Sequence, residues 1–295
     1  MQKIEIKRRI FTGFIPGLTS LTKRGPAGWM TLIGSIMVLS IVLMTLLSPW
    51  ISPYNPTKIN VGPGASPPSA QFPLGTNLYG QDMLSRVLCG GSLMLQVAFL
   101  SVVFCLLAGV PIGLLASYAG GIFDKICSLV MDSLYAFPGL VLAIAIAAMM
   151  GRGVANMAFS ISVVYVPSYF RIIRSQVLTI KELPYTEAAR ATGARGHTIL
   201  FRYILPNVVP SIVAVATVNF ADAILTSAGL TFVGLGVERG EVADWGWDLK
   251  DGRELLLGGA WWIATFPGIM IILLALGFTL MGEGLSELLN PRLEQ

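Results

Sequence analysis

The sequence predicts an all-α, polytopic membrane protein with about six transmembrane helices, and three observations lead there. Of its 295 residues, 54% are hydrophobic and only 12% are charged, about half the charged share of a soluble domain. Runs of the roughly 20 apolar residues needed to cross a bilayer recur along the chain. Lysine and arginine cluster in alternate connecting segments, the bias that orients membrane proteins.

The first run covers 29–51, the second 93–117 and the sixth 261–281, each without a charged residue. The third, 126–150, contains Asp132 and the break Phe137-Pro138-Gly139. The fourth, 154–173, is interrupted by Pro167, and the fifth, 208–230, holds Asp222. Pro138 and Pro167 each remove a backbone donor and are expected as fixed kinks rather than moving gates. Ionisable groups in lipid are costly and turn to a bundle interior or an aqueous cavity. Asp132 and Asp222 are therefore candidate pore-lining residues. Asp132 also sits near enough to the end of its run to reach the interface, and Asp222 could instead pair with a neighbouring helix. Trp29, Trp50, Trp261 and Trp262 lie at run ends, where interfacial anchors belong.

The tail before the first run holds Lys3, Lys7, Arg8, Arg9, Lys23 and Arg24. The segment between runs four and five holds Arg171, Arg174, Lys181, Arg190, Arg195 and Arg202. Six crossings with both termini in the cytoplasm place both basic segments inside. The segments left outside are poorer in basic residues: 52–92 has only Lys58 and Arg86, and 231–260 has three basic against six acidic residues. The first run is long enough to span and no small-residue cleavage site follows it, so it is expected to remain as an anchor. The expected location is the cell membrane, multi-pass.

The net charge of +4 and pI near 9.0 do not point to nucleic acid, because the basic residues lie between apolar runs rather than on one soluble face. Cys89, Cys105 and Cys127 have no CxxC spacing, and His197 is the lone histidine, so neither a zinc site nor a disulfide framework is expected. GxxxxGK[ST] and HExxH are missing, as is any nucleophile–base set. The chain is expected to be non-catalytic and to bind no cofactor or metal itself.

Two connections are too long to be simple links. The loop 52–92 is rich in proline and glycine as far as Gly75. Met83, Leu84, Val87 and Leu88 then recur at helical spacing, with Asp82 placed to complement a helix N-terminus. A surface helix capping the pore and a plain re-entry helix before the second span fit equally well.

The segment 183–207 is more informative. Pro184 suits a first helical turn, Glu187, Ala188, Ala189, Arg190 and Ala191 are good helix formers, and Gly193 is placed to end the helix in a left-handed conformation. After Ala194-Arg195-Gly196 a second helix runs from His197 to Tyr203, with Leu205-Pro206 expected to close it. This predicts a helix-turn-helix hairpin suited to docking: small alanines admit a partner closely and the arginines favour carboxylates. A linker lying on anionic lipid is the plainer alternative.

Glu187-Ala188-Ala189, Gly193 and Leu205-Pro206 together resemble the EAA loop of ATP-binding-cassette (ABC) importer permeases. Tyr203 stands where that pattern has an aliphatic residue. Arg195 stands where many members have a small hydroxyl, leaving Gly196 as the expected cap of the second helix. Pro73-Leu74-Gly75-Thr76-Asn77, Gly80-Gln81-Asp82 and Leu84-Ser85-Arg86 resemble the segment before the second span in dipeptide, oligopeptide and nickel permeases. Leu230-Thr231-Phe232-Val233-Gly234-Leu235-Gly236, Trp245-Gly246, Pro267-Gly268, Gly282-Glu283-Gly284-Leu285 and Asn290-Pro291-Arg292 resemble the C-terminal half of their "C" permease.

The resemblance implies a MetI-like permease fold over 29–295 behind a cytoplasmic tail, 1–28, with external loops 52–92 and 231–260 and a cytoplasmic coupling loop, 174–207. It implies a second homologous permease, two cytoplasmic ATPases that bind ATP and Mg, and an external solute-binding protein. It assigns ATPase coupling to Glu187, Ala188, Ala189, Gly193, Arg195, His197, Tyr203, Leu205 and Pro206. Peptides are the leading expected cargo. A stand-alone secondary transporter or channel is the alternative; it has no need of a docking hairpin.

Overall fold

The computed structural model describes residues 25–289. The basic tail residues Lys3 to Arg24 and the Asn290-Pro291-Arg292 block lie outside the described residues. Ten helices carry the architecture: α1 (Gly25–Ile51), α2 (Met83–Ala119), α3 (Gly121–Tyr135), α4 (Gly139–Met150), α5 (Val154–Lys181), α6 (Pro184–Ala191), α7 (Gly196–Ile199), α8 (Leu205–Phe232), α9 (Trp245–Leu255) and α10 (Trp262–Leu288). Among the described residues, β-structure is limited to two isolated bridges, Thr76 with Asp82 and Arg239 with Val242.

α1, α2, the run Gly196–Phe232 and α10 are each long and apolar enough to cross a bilayer. α3 and α4 pass the same test only as a pair bent by 92°. α5 has 28 residues, about 42 Å of helix, and carries Arg171, Arg174 and Lys181 in its second half. The chain is thus an all-α polytopic membrane protein with about six transmembrane helices.

Local chemistry departs from the expected spans at three places. The third is not one helix: α3 ends at Tyr135 and Pro138 stands in an extended conformation before α4. Proline disfavours a helical residue before it, so Phe137-Pro138 becomes a corner. Pro167, by contrast, lies inside an unbroken α5. Leu205-Pro206 does not close the second hairpin helix. A π-helical turn, Leu200–Ile204, carries α7 straight into α8, and Leu205 N–H reaches back to the Leu200 carbonyl. Pro206 lacks an N–H and its ring crowds the preceding turn, and a wider turn relieves both.

α2 packs along α5, α1 along α10, and α8 lies against both α10 and α2. Small residues set the spacing, as lipid-embedded helices require. A Cβ on Gly109 of α2 would sit 2.7 Å from Tyr169 Cβ of α5, and one on Gly34 of α1 would sit 2.5 Å from the Gly277 carbonyl of α10. The main core joins Met94, Val97, Met157, Ile161, Ile224, Leu230, Trp245 and Leu274. A second core, nearer the hairpin, joins Cys105, Leu114, Tyr169, Ile173 and Val177 to Ile199, Leu200, Ile204 and Val208.

Met83 to Leu88 do not form a separate surface helix. They are the first turns of the 37-residue α2, whose N-cap Asp82 accepts from Ser85 N–H. Of the four tryptophans expected as interfacial anchors, Trp29, Trp50 and Trp261 are exposed, but Trp262 is buried. Its indole N–H donates to the Thr76 carbonyl at 3.0 Å, so it fastens α10 to the long loop.

Candidate functional site

Three polar assemblies stand out: the hairpin, a set of ion pairs beside it, and a buried network at the opposite end of the bundle.

The hairpin forms as its residues dictate. Pro184 occupies the first turn of α6. Gly193 has φ +79°, with nothing within 4 Å of where its side chain would be, so the backbone alone demands glycine. Gly193 N–H bonds to the Arg190 carbonyl and Ala194 N–H to the Ala189 carbonyl, both at 3.0 Å. This double bond pattern satisfies the last carbonyls of α6. Thr186, buried, donates its hydroxyl to the Ile180 carbonyl at 2.9 Å and ties α6 to the end of α5. Arg195, not Gly196, is the N-cap of α7, and it makes no side-chain cap bond; an arginine offers no acceptor to the free N–H groups.

The named coupling residues divide by environment. Glu187, Ala188, Gly193, Arg195, His197 and Pro206 are exposed, Tyr203 and Leu205 are half-buried, and Ala189 is buried within the chain. Ile199, Leu200 and Ile204 pin the second helix to α2 and α5. The outward surface therefore combines Glu187 and Ala188 with Arg190, Arg195 and His197. It also presents Tyr185 at 42% and Phe201 at 60% exposure, which sequence reasoning missed. The available signal was Phe201 beside Arg202 in an otherwise packed helix: exposed aromatics flanked by charge are the usual anchors of an interface.

The two intrahelical aspartates separate. Asp132 accepts from Arg171 of α5 at 2.8 Å, with both side chains exposed. Asp222 is half-buried in α8. Among the described residues no cation lies within 4 Å of it; the four ion pairs involve Arg86, Arg171, Arg174 and Arg239. Tyr165 faces the same turn of α8, its hydroxyl 2.9 Å from Thr226 Oγ1.

At the far end, residues from the long loop meet α9. Arg86 Nε donates to Asp248 Oδ1, and Arg86 also donates to the Pro56 carbonyl and Gln81 Oε1, both at 3.0 Å. Asn77 Nδ2 donates to Gln81 Oε1 at 2.7 Å. Trp245 Nε1 donates to the Val87 carbonyl at 3.0 Å. Burial pushes the Asp248 carboxyl up, opposed by Arg86. Burial also pushes Asp244 up to about 6, although its carboxylate accepts from Gly246 N–H. A second pair, Arg239 with Asp251, lies nearby, and Arg239 also donates to the Tyr79 hydroxyl at 2.7 Å. The motif blocks around Asn77, Arg86 and Trp245 are thus one structural unit.

Comparisons place this architecture among known proteins. The family model for the binding-protein-dependent transport system inner membrane component matches residues 109–295. The model for the N-terminal TM domain of oligopeptide transport permease C matches residues 29–68. The chain is 35% identical over 265 residues to a dipeptide transport system permease protein of Alkalihalophilus pseudofirmus, covering 90% of this chain and 86% of the relative. It is 37% identical to a di/tripeptide transport system permease protein of Pseudomonas aeruginosa, with 88% of each chain covered. A glutathione transport system permease protein of Pectobacterium atrosepticum is 36% identical, with 88% of this chain and 86% of the relative covered. Among solved structures, the inward-facing MetNI methionine ABC transporter matches at TM-score 0.58 and 18% identity, over 70% of this chain and 98% of that one. This last likeness bears on the fold alone.

Proposed function

Because the chain belongs to the family of binding-protein-dependent transport system inner membrane components, we propose that it passes small peptides through a pore shared with a second, homologous permease. Its family makes it a non-catalytic, multi-pass pore subunit of an ABC importer. The stand-alone carrier or channel is thereby set aside.

The finer assignments rest on chemistry. Dipeptide and di/tripeptide permeases among the relatives support a peptide cargo. The exposed charged residues of the hairpin, Glu187, Arg190 and Arg195, with Tyr185 exposed on the same helix as Glu187 and Arg190, support docking of a cytoplasmic ATPase; this is the single observation that carries the coupling reading. We assign that role to Glu187, Ala188, Gly193, Arg195, His197 and Tyr203, with Ala189, Leu205 and Pro206 shaping the hairpin from behind. ATP and Mg bind in two such ATPases, and an external binding protein delivers the cargo. Both termini are cytoplasmic, with 52–92 and 231–260 outside. Asp222, which among the described residues has no cation within 4 Å, is our candidate for the translocation path, where it would meet a peptide's ammonium group. Asp132 already has Arg171 as its partner. Nucleotide moves the pore only by binding one arrangement of the ATPases better than the other.

The test is reconstitution of the chain with its partner permease, ATPases and binding protein in liposomes. ATP-dependent uptake of a labelled dipeptide is expected; uptake that persists without the ATPases would refute the assignment.

A further inference from the structure

Helix α3 is attached to the bundle mostly by charge. It begins at Gly121, directly after Gly120, with φ +61° and +69°, and ends at Tyr135, before the corner at Pro138. Of its 15 residues only Asp124 and Met131 are buried. Met131 packs with Ala116 of α2 and Phe170 of α5, with Cys127 half-buried beside them. Ile122, Phe123, Ile126 and Leu129 are exposed.

Two arginines one turn apart on α5 hold this rod. Arg174 Nε and Nη2 each donate to one oxygen of Asp124, both at 2.7 Å. Arg171 Nη2 donates to Asp132 Oδ1 at 2.8 Å, and its guanidinium carbon lies 4.1 Å from the centre of the Tyr135 ring. Past Arg174, α5 runs two more turns to Lys181, which donates to the Tyr118 carbonyl at 3.1 Å. The chain then turns directly into α6. Two of these pairs are partly exposed, with side-chain exposures of 46% and 59% for Arg171–Asp132 and 36% and 10% for Arg174–Asp124. Exposed pairs add little stability, but a two-pronged guanidinium–carboxylate bond fixes direction strongly.

We propose that Asp124, Asp132, Arg171 and Arg174 form a clamp that makes α3 follow α5, carrying a displacement of the hairpin into the bent α3–α4 span. The clamp rests on the reading of the hairpin as the ATPase joint. These are positioning residues: they touch neither nucleotide nor cargo. Without them α3 keeps only the small apolar contact around Met131, and hairpin motion ends in α5.

The reconstituted complex tests this with Asp124→Asn, Arg174→Gln and the exchange Asp124→Arg with Arg174→Asp. The single variants are expected to keep ATPase co-purification and ATP hydrolysis while peptide moved per ATP falls at least about tenfold, the scale of a coupled pair. The exchange is expected to restore most of it. In a Cys89→Ser, Cys105→Ser background, Cys127 should react faster with a cytoplasmic-side maleimide in the single variants and at the wild-type rate in the exchange. Arg174→Lys keeps the charge but loses the second prong, so it should assemble and still lower the ratio. Unchanged peptide per ATP in Asp124→Asn, Arg174→Gln and Arg174→Lys would overturn the clamp, as would an exchange that restores Cys127 protection without coupling. A wild-type complex with no ATP-dependent uptake would instead overturn the joint reading, and the clamp with it.

Discussion

Arg86 and Asp248 meet at 2.7 Å across 162 positions of sequence, with side-chain exposures of only 6% and 1%. The pair binds the start of α2 to α9. Removing one partner from such a site strands a buried charge, whereas removing both does not. Arg86→Met should therefore lower stability by about 3–5 kcal/mol. The double variant Arg86→Met with Asp248→Leu should lose much less. Thermal unfolding of the detergent-purified protein checks this, and additive losses would show that the pair is not coupled.

Asp244, at the start of α9, gives a pH signature. Burial raises its folded value from 3.8 to about 6, so the folded state holds this proton more tightly than the unfolded chain. The resulting stabilisation is fully present below pH 4 and is lost as pH rises through about 6. The span corresponds to about 3 kcal/mol. Asp248 and Arg86 face the same site, so the measurement is a difference: Asp244→Asn should remove this slope between pH 4 and 6 that the wild type shows. Parallel stability curves for the two proteins would contradict the assignment.

The hairpin's shape depends on two local features. Gly193→Ala places a side chain at φ +79°, a cost of about 1 kcal/mol. Thr186→Val removes one donor to the Ile180 carbonyl, which keeps Leu183 N–H at 3.2 Å, a cost of about 0.5–1.5 kcal/mol. Both should raise hydrogen exchange in α6 and the following turn while leaving α8 protected. Exchange that rises equally in α8 would mean that the hairpin and the span unfold together.

Which features could be read from residues alone follows from the range of the forces involved. The first, second and sixth apolar runs, Pro184 in a first turn and Gly193 at a helix end depend on neighbours in sequence, and each appeared as expected. Phe137-Pro138-Gly139 announced a break, but the 92° bend depends on what α3 and α4 pack against. Leu205-Pro206 carried the signal of a helix end; the Leu200–Ile204 π-turn let the helix continue, because Ile199, Leu200 and Ile204 stay buried against α2 and α5. Trp262 looked like its exposed neighbour Trp261, and only the Thr76 carbonyl and the apolar cluster of Met83, Val87 and Ile263 around it distinguish them. The ion pairs Arg86–Asp248 and Arg174–Asp124 join distant segments, and no periodicity reports such pairings.

The outward face of α6, proposed above to engage a separate ATPase, is probed by Glu187→Arg. Glu187 is exposed and acidic in the first turn of α6, so reversing its charge changes the docking face without touching the core. ATPase co-purification and ATP-driven dipeptide uptake should both collapse while membrane insertion and thermal stability stay at wild-type levels. Full uptake with the ATPases still bound would show that α6 is not the ATPase joint.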